Sequence, residues 1–124
     1  MIYLASPYSH SEPAVQEARF REACRAAAAM MRAGELVFSP IAYTHPIAAF
    51  GLPGDWAYWE RFDREMLKIC TEVRVLQLDG WMQSKGASAE VDLAHDLGLP
   101  VTFVDPIPEE EKAPPIPRMD ADEA

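Results

Sequence analysis

An α/β domain on a parallel sheet is the fold class this chain of 124 residues predicts, and three observations predict it. Short apolar runs alternate with helical segments in the order strand, helix, strand, helix, strand, helix, strand; such alternation gives right-handed crossovers with helices on the sheet's faces. The segments following those runs are rich in turn formers, as in Ser6-Pro7-Tyr8-Ser9-His10-Ser11. At 49% hydrophobic residues the chain fills one core and leaves no room for a second domain. The reading is a single Rossmann- or flavodoxin-like sheet of four to five strands over residues 1–105, with an acidic, proline-rich tail over 106–124.

Each element has its own reason. Ile2 to Ala5 is a first apolar strand. Glu12 to Ala33 is rich in Ala, Glu and Arg, with Pro13 in its first turn and Gly34 just past its end, and reads as a helix with a stripe of Val15, Ala18, Ala26, Ala29 and Met30. Leu36 to Ser39 is a strand stopped by Pro40. Ile41 to Asp55 carries Pro46, Pro53, Gly51 and Gly54, and reads as a long irregular loop of the kind that carries function. Trp56 to Cys70 is a helix whose buried face is expected to be Trp59, Phe62, Met66 and Ile69. Val73 to Leu78, Gly86 to Leu97 and Val101 to Val104 complete the pattern as strand, helix and strand.

Composition excludes several classes. A net charge of −9 argues against a nucleic-acid polymer as partner, which needs a basic surface, although Glu109, Glu110, Glu111, Asp120, Asp122 and Glu123 concentrate part of it in the tail. No stretch approaches the roughly 20 apolar residues of a membrane span, and no secretion signal opens the chain; the expected compartment is the cytoplasm. Cys24 and Cys70 have no neighbouring Cys or His at ligand spacing and read as reduced core residues. His10, His45 and His95 show no metal-ligand spacing and no HExxH motif occurs, so no metal is expected.

Ligands of open parallel sheets bind beyond the carboxyl ends of the strands, which selects the segments 6–11, 41–55 and 79–90. In the last, Ser84-Lys85-Gly86-Ala87-Ser88-Ala89-Glu90 opens a helix. Its positive end favours an anion beside Ser84 and Gly86, and is expected to keep Glu90, in or near the first turn, ionised and nucleophilic. The same residues also read as an ordinary N-cap and a solvated glutamate. Asp63 reads either as a functional acid or as a surface partner of Arg61, Arg64 or Lys68. His45 either lines a pocket or holds its loop; Trp56, Tyr58 and Trp59 either stack on a base or belong to the core; His95 is expected at the surface.

Ile2-Tyr3-Leu4-Ala5-Ser6-Pro7-Tyr8, the Trp59-Glu60-Arg61-Phe62-Asp63 segment and the Ser84-x-Gly86-x-x-x-Glu90 motif together resemble the nucleoside 2-deoxyribosyltransferase-like superfamily, and within it most of all the DUF1937 family. The resemblance covers about residues 1 to 104. It implies cleavage of the N-glycosidic bond of a 2′-deoxynucleoside or its 5′-monophosphate, with no cofactor. Glu90 matches the glutamate that attacks C1′, Tyr3 the tyrosine that holds it, and Asp63 the aspartate that helps the base depart. Ser84 matches the serine that binds the 5′-phosphate in the monophosphate hydrolases; the base-exchanging transferases carry an acid there, so the resemblance favours a nucleotide.

One segment departs from that pattern. The loop after the first strand lacks the glycines and arginine of those hydrolases, so phosphate binding there rests on the hydroxyls of Ser6 and Ser9, backbone N–H groups and His10, with Lys85 and Arg19 as candidate cations. The resemblance further implies a homo-oligomer. A catalytically silent nucleotide-binding module and a glycosidase acting on a ribonucleotide or NAD are the competing functional readings.

Overall fold

The computed structural model describes residues 1–108. The tail expected over 106–124 therefore falls, from residue 109 on, outside the described residues. Four strands, β1 (Ile2–Ala5), β2 (Val37–Phe38), β3 (Glu72–Leu76) and β4 (Val101–Val104), form one parallel sheet in the order β2-β1-β3-β4. The helices are α1 (Pro13–Arg32), α2 (Pro40–Ala48), α3 (Trp56–Lys68) and α4 (Lys85–Asp96), with a 3-10 turn at Trp81–Gln83. The architecture is Rossmann- or flavodoxin-like, as the alternation of elements predicts.

β1 is buried along its whole length, and its side chains alternate between two cores with the period of 2 that any strand imposes. Ile2 and Leu4 join Ala26 and Ala27 of α1, Val37, Leu76 and Leu78 on one face. Tyr3 and Ala5 join Leu67 of α3, Ala94 of α4, Cys70, Val73 and Val75 on the other. The small alanines let α1 lie close to the sheet, although the stripe is centred on Ala23, Ala26 and Ala27 and leaves Ala18 exposed. Cys70 is buried and Cys24 half-buried, both as free thiols.

Two expectations are corrected. The stretch read as a loop over 41–55 begins as a helix, α2. Ser39 caps it by accepting from the Ala42 N–H at 3.2 Å, and Pro40 stands at its first position, where a missing N–H costs nothing. Pro46 cannot donate to the carbonyl four residues back, and the helix ends two residues later. The buried face of α3 is centred on Asp63 and Leu67, with Trp59, Phe62 and Met66 half-buried beside it. Ile69, expected inside, lies just past the helix and is 65% exposed. That rotation puts an aspartate at the middle of an inward stripe.

A candidate active site at the sheet switch point

β1 and β3 lie side by side at the centre of the sheet, and the chain runs outward from them to β2 on one side and to β4 on the other. Strand order reverses there, which leaves a crevice beyond the carboxyl ends of the two strands. A cavity of about 440 Å³ occupies that end of the molecule, a size suited to a small molecule. Its walls come from the loop after β1, from α2, from the start of α3 and from the start of α4.

Asp63 and Glu90 reach the cavity from the two helices that cover one face of the sheet, and each interrupts an otherwise apolar buried stripe. Glu90 lies between Ala87 and Ala94 on α4, Asp63 next to Leu67 on α3. Both are almost fully buried, at 3% and 5% exposure. Beneath them the Tyr3 hydroxyl, on the same face of β1, donates a hydrogen bond to Glu90 Oε2. Tyr3, Asp63 and Glu90 are thus brought together as the motif reading expects.

Their electrostatics differ from that reading. Glu90 stands in the second turn of α4, the sixth residue of Lys85–Asp96, where the field of the helix end has faded. Burial, and then the charge of Asp63, push its carboxyl well above the usual carboxylate range, while the Tyr3 hydrogen bond pulls the other way. Burial alone raises Asp63 to about 7. Tyr3 is pushed up by burial and by the two neighbouring carboxylates, so it keeps its proton and donates it. Two carboxyls that cannot both ionise cheaply retain a proton between them near neutral pH.

Two buried polar atoms have no partner among the described residues, Ser6 Oγ and Asp63 Oδ1, and both residues line the cavity. Unpaired groups of this kind cost stability unless a ligand completes them. Ser9 lines the cavity at its exposed mouth. Ser84 lines it too, and its oxygen caps α4 by accepting from the Ala87 N–H at 3.1 Å. Gly86 packs closely on Trp56: a Cβ there would stand 3.3 Å from the ring, so the indole would have to shift by a few tenths of an ångström. The loop between α2 and α3 is held to α3 by Trp59 Nε1, which donates to the Pro53 carbonyl at 2.7 Å. Trp56 and Trp59, for which a core role was open, are half-buried cavity walls, while Tyr58 is 49% exposed.

Of the candidate cations, Lys85 lines the cavity, whereas Arg19 donates to the carbonyls of Ser9 and Asp79, both at 3.0 Å, and so ties the loops after β1 and β3 together. His10 lies outside the cavity, accepting from the Glu12 N–H at 3.0 Å. His45, read on a loop as either lining the pocket or holding the loop, belongs to α2 and stands one layer back from the cavity, bonded to Tyr8. Tyr8 itself, Thr44 and Gln83 line the cavity without having been singled out in the sequence. Tyr8 was within reach, since it belongs to a loop that the strand-end rule selects.

Among the described residues no three His, Cys, Asp or Glu side chains gather as a metal cage would, and no helix is long and apolar enough to cross a membrane. A comparison with curated proteins gives no match. A family model described as a domain of unknown function, DUF1937, matches residues 1–105, and the chain belongs to that family.

Proposed function

We propose that the protein is a cytoplasmic enzyme that cleaves the N-glycosidic bond of a 2′-deoxynucleoside or its 5′-monophosphate, with Glu90 as nucleophile. The observation that carries this reading is the buried pair Asp63 and Glu90 in one cavity, with the Tyr3 hydroxyl donating to Glu90. The resemblance of the first strand and of the Ser84-x-Gly86-x-x-x-Glu90 motif to the nucleoside 2-deoxyribosyltransferase-like superfamily supports it.

The chemistry needs two unlike carboxyls. Breaking the bond between C1′ and the base nitrogen develops positive charge on the sugar and negative charge on the base. In the productive form the shared proton is on Asp63 and Glu90 is ionised; the Tyr3 hydrogen bond favours that distribution, against burial and the charge of Asp63, which hold the proton on Glu90 until a ligand occupies the cavity. Glu90 bonds to C1′ as the base leaves with the bonding electron pair, and Asp63 protonates the base. Water, or the N–H of a second base, then attacks C1′ and gives its proton to Asp63 as the bond to Glu90 breaks, which restores the Glu90 carboxylate and the Asp63 acid. Trp56 and Trp59 supply flat apolar walls for the base, and Ser6 Oγ is a ready partner for the sugar or phosphate. We extend the reading to association of copies through the exposed Tyr43, Phe50, Leu52 and Tyr58 around the α2–α3 loop.

The test is incubation with the 2′-deoxynucleosides, their 5′-monophosphates and the corresponding ribonucleotides, with chromatography of the released base. Release from one deoxy class, together with a glycosyl adduct on the Glu90 peptide in quenched mass spectra, is the expected outcome. Tight binding with no base released from any of them overturns the reading in favour of a silent nucleotide-binding module.

A further inference from the structure

A second polar assembly, independent of the carboxyl pair, meets the cavity through one of its three residues. Tyr8, in the loop after β1, lines the cavity; its hydroxyl meets His45 Nδ1 of α2 at 2.5 Å, and His45 Nε2 meets Glu17 Oε2 of α1 at 2.7 Å. The three residues come from three elements, and neighbours fix each of them. The His45 ring stacks on Phe20 with centroids 4.3 Å apart, Glu17 uses its other oxygen for Arg21 at 3.3 Å, and the edge of the Tyr8 ring lies beside Gly54. Glu17 is a carboxylate acceptor, so the nitrogen facing it carries a proton; in the neutral imidazole the other nitrogen is then an acceptor, and the Tyr8 proton is directed to it.

We propose that Tyr8 is a specificity residue of the cavity, whose phenol oxygen accepts a hydrogen bond from a hydroxyl or amino group of the bound molecule in an orientation fixed by His45 and Glu17. With its own proton committed to His45, Tyr8 offers the cavity lone pairs only. Burial, and then the charge of Glu17, raise the Tyr8 phenol above its usual value, which keeps that proton in place. The arrangement is a triad turned to recognition: Glu17 fixes the tautomer, His45 fixes the hydroxyl, and the ligand meets an acceptor of set direction. His45 and Glu17 are positioning residues; Tyr8 alone touches the ligand. The inference rests on the cavity being a nucleoside or nucleotide site, and adds which kind of group the ligand must present there.

Two measurements test it. In the free protein labelled with ¹⁵N-histidine, the expected His45 signals are a protonated Nε2 and an unprotonated Nδ1, with the Nδ1 resonance moved in Tyr8→Phe. A proton on Nδ1 overturns the proposal whatever the ligand results. Calorimetry then takes the tightest binder among the four 2′-deoxynucleosides and their 5′-monophosphates, and analogues of it lacking in turn the 3′-hydroxyl, the 5′-hydroxyl or 5′-phosphate, and the amino group of the base. Tyr8→Phe is expected to weaken the parent about fivefold to tenfold, the worth of one hydrogen bond, and to leave one analogue unaffected, the one that has lost the donor. His45→Phe, which retains a ring against Phe20 but releases the Tyr8 proton, is expected to give a smaller loss with the same analogue spared. An equal loss for the parent and every analogue, or no loss at all, overturns this inference alone; absence of binding by all eight parents overturns it together with the proposed function.

Discussion

The two faces of the sheet share a strand and differ in kind. On the α1 face Ile2, Leu4, Ala26, Ala27, Val37, Leu76 and Leu78 make a wholly apolar core. On the α3 and α4 face, one residue along the same strand, Tyr3 meets Asp63 and Glu90 at the end of an otherwise similar apolar cluster. The first face stabilises the fold through burial and close packing. The second gives up part of that stabilisation, because two acids there are removed from water and Asp63 Oδ1 is left unpaired. The wholly apolar core and the buried carboxyl pair thus lie on opposite sides of one sheet.

If that division holds, substitutions on the two faces have opposite signatures. The largest effect is expected from Glu90→Gln, which lowers the rate of base release by about a thousandfold or more while ligand binding is retained. Asp63→Asn is expected to cost about a hundredfold or more in rate and to remove the alkaline limb of a bell-shaped pH profile of kcat/KM. In the wild type that limb reports loss of the shared proton and the acid limb protonation of the Glu90 carboxylate, with apparent values belonging to the pair.

Asp63→Asn also separates the faces by stability. Burial raises Asp63 in the folded state to about 7, above its ordinary 3.8, so the native state holds this proton more tightly than the unfolded chain. The associated stability is full below about pH 4 and is lost as pH rises through about 7, by about 4 kcal/mol if Asp63 titrated alone and by less where Glu90 shares the proton. Urea denaturation at pH 5 and pH 8 is therefore expected to show Asp63→Asn gaining on the wild type at the higher pH. On the opposite face, Leu4→Ala is expected to lose about 3 kcal/mol at both pH values, with catalysis per folded molecule unchanged.

The smallest effect sharpens the account of α4. Ser84→Ala removes the cap on the Ala87 N–H and is expected to cost about 1 kcal/mol in thermal or urea denaturation. If Ser84 also binds a phosphate, affinity for a 5′-monophosphate falls with it while affinity for the nucleoside does not; equal affinities would assign Ser84 to the cap alone.

How much of this was legible in the sequence follows from which signals are local. The strands, α1 and α4 are written in runs and caps a few residues long, and their ends shift by only a residue or two. α2 was hidden because Pro46 and the later glycines resemble a loop, whereas Ser39 and Pro40 carried the opposite signal of a helix start. Tyr3, Asp63 and Glu90 were legible through their motifs, and an acid set inside a buried helical stripe is a further signal that a corrected register of α3 would have given. The ionisation of Glu90 was not legible: it depends on burial and on Asp63, 27 residues away in the chain, rather than on the helix end. The Tyr8, His45 and Glu17 assembly was out of reach for the same reason, since only the packing of α1, α2 and the first loop brings these side chains together.

The central claim is that Glu90 attacks the sugar. Its most direct test is base release by wild type and Glu90→Gln side by side, on the deoxy substrate class found with the panel, each protein first verified as folded by circular dichroism. The account predicts release by the wild type and a rate lower by about a thousandfold or more in the variant. Release by Glu90→Gln at the wild-type rate would contradict it.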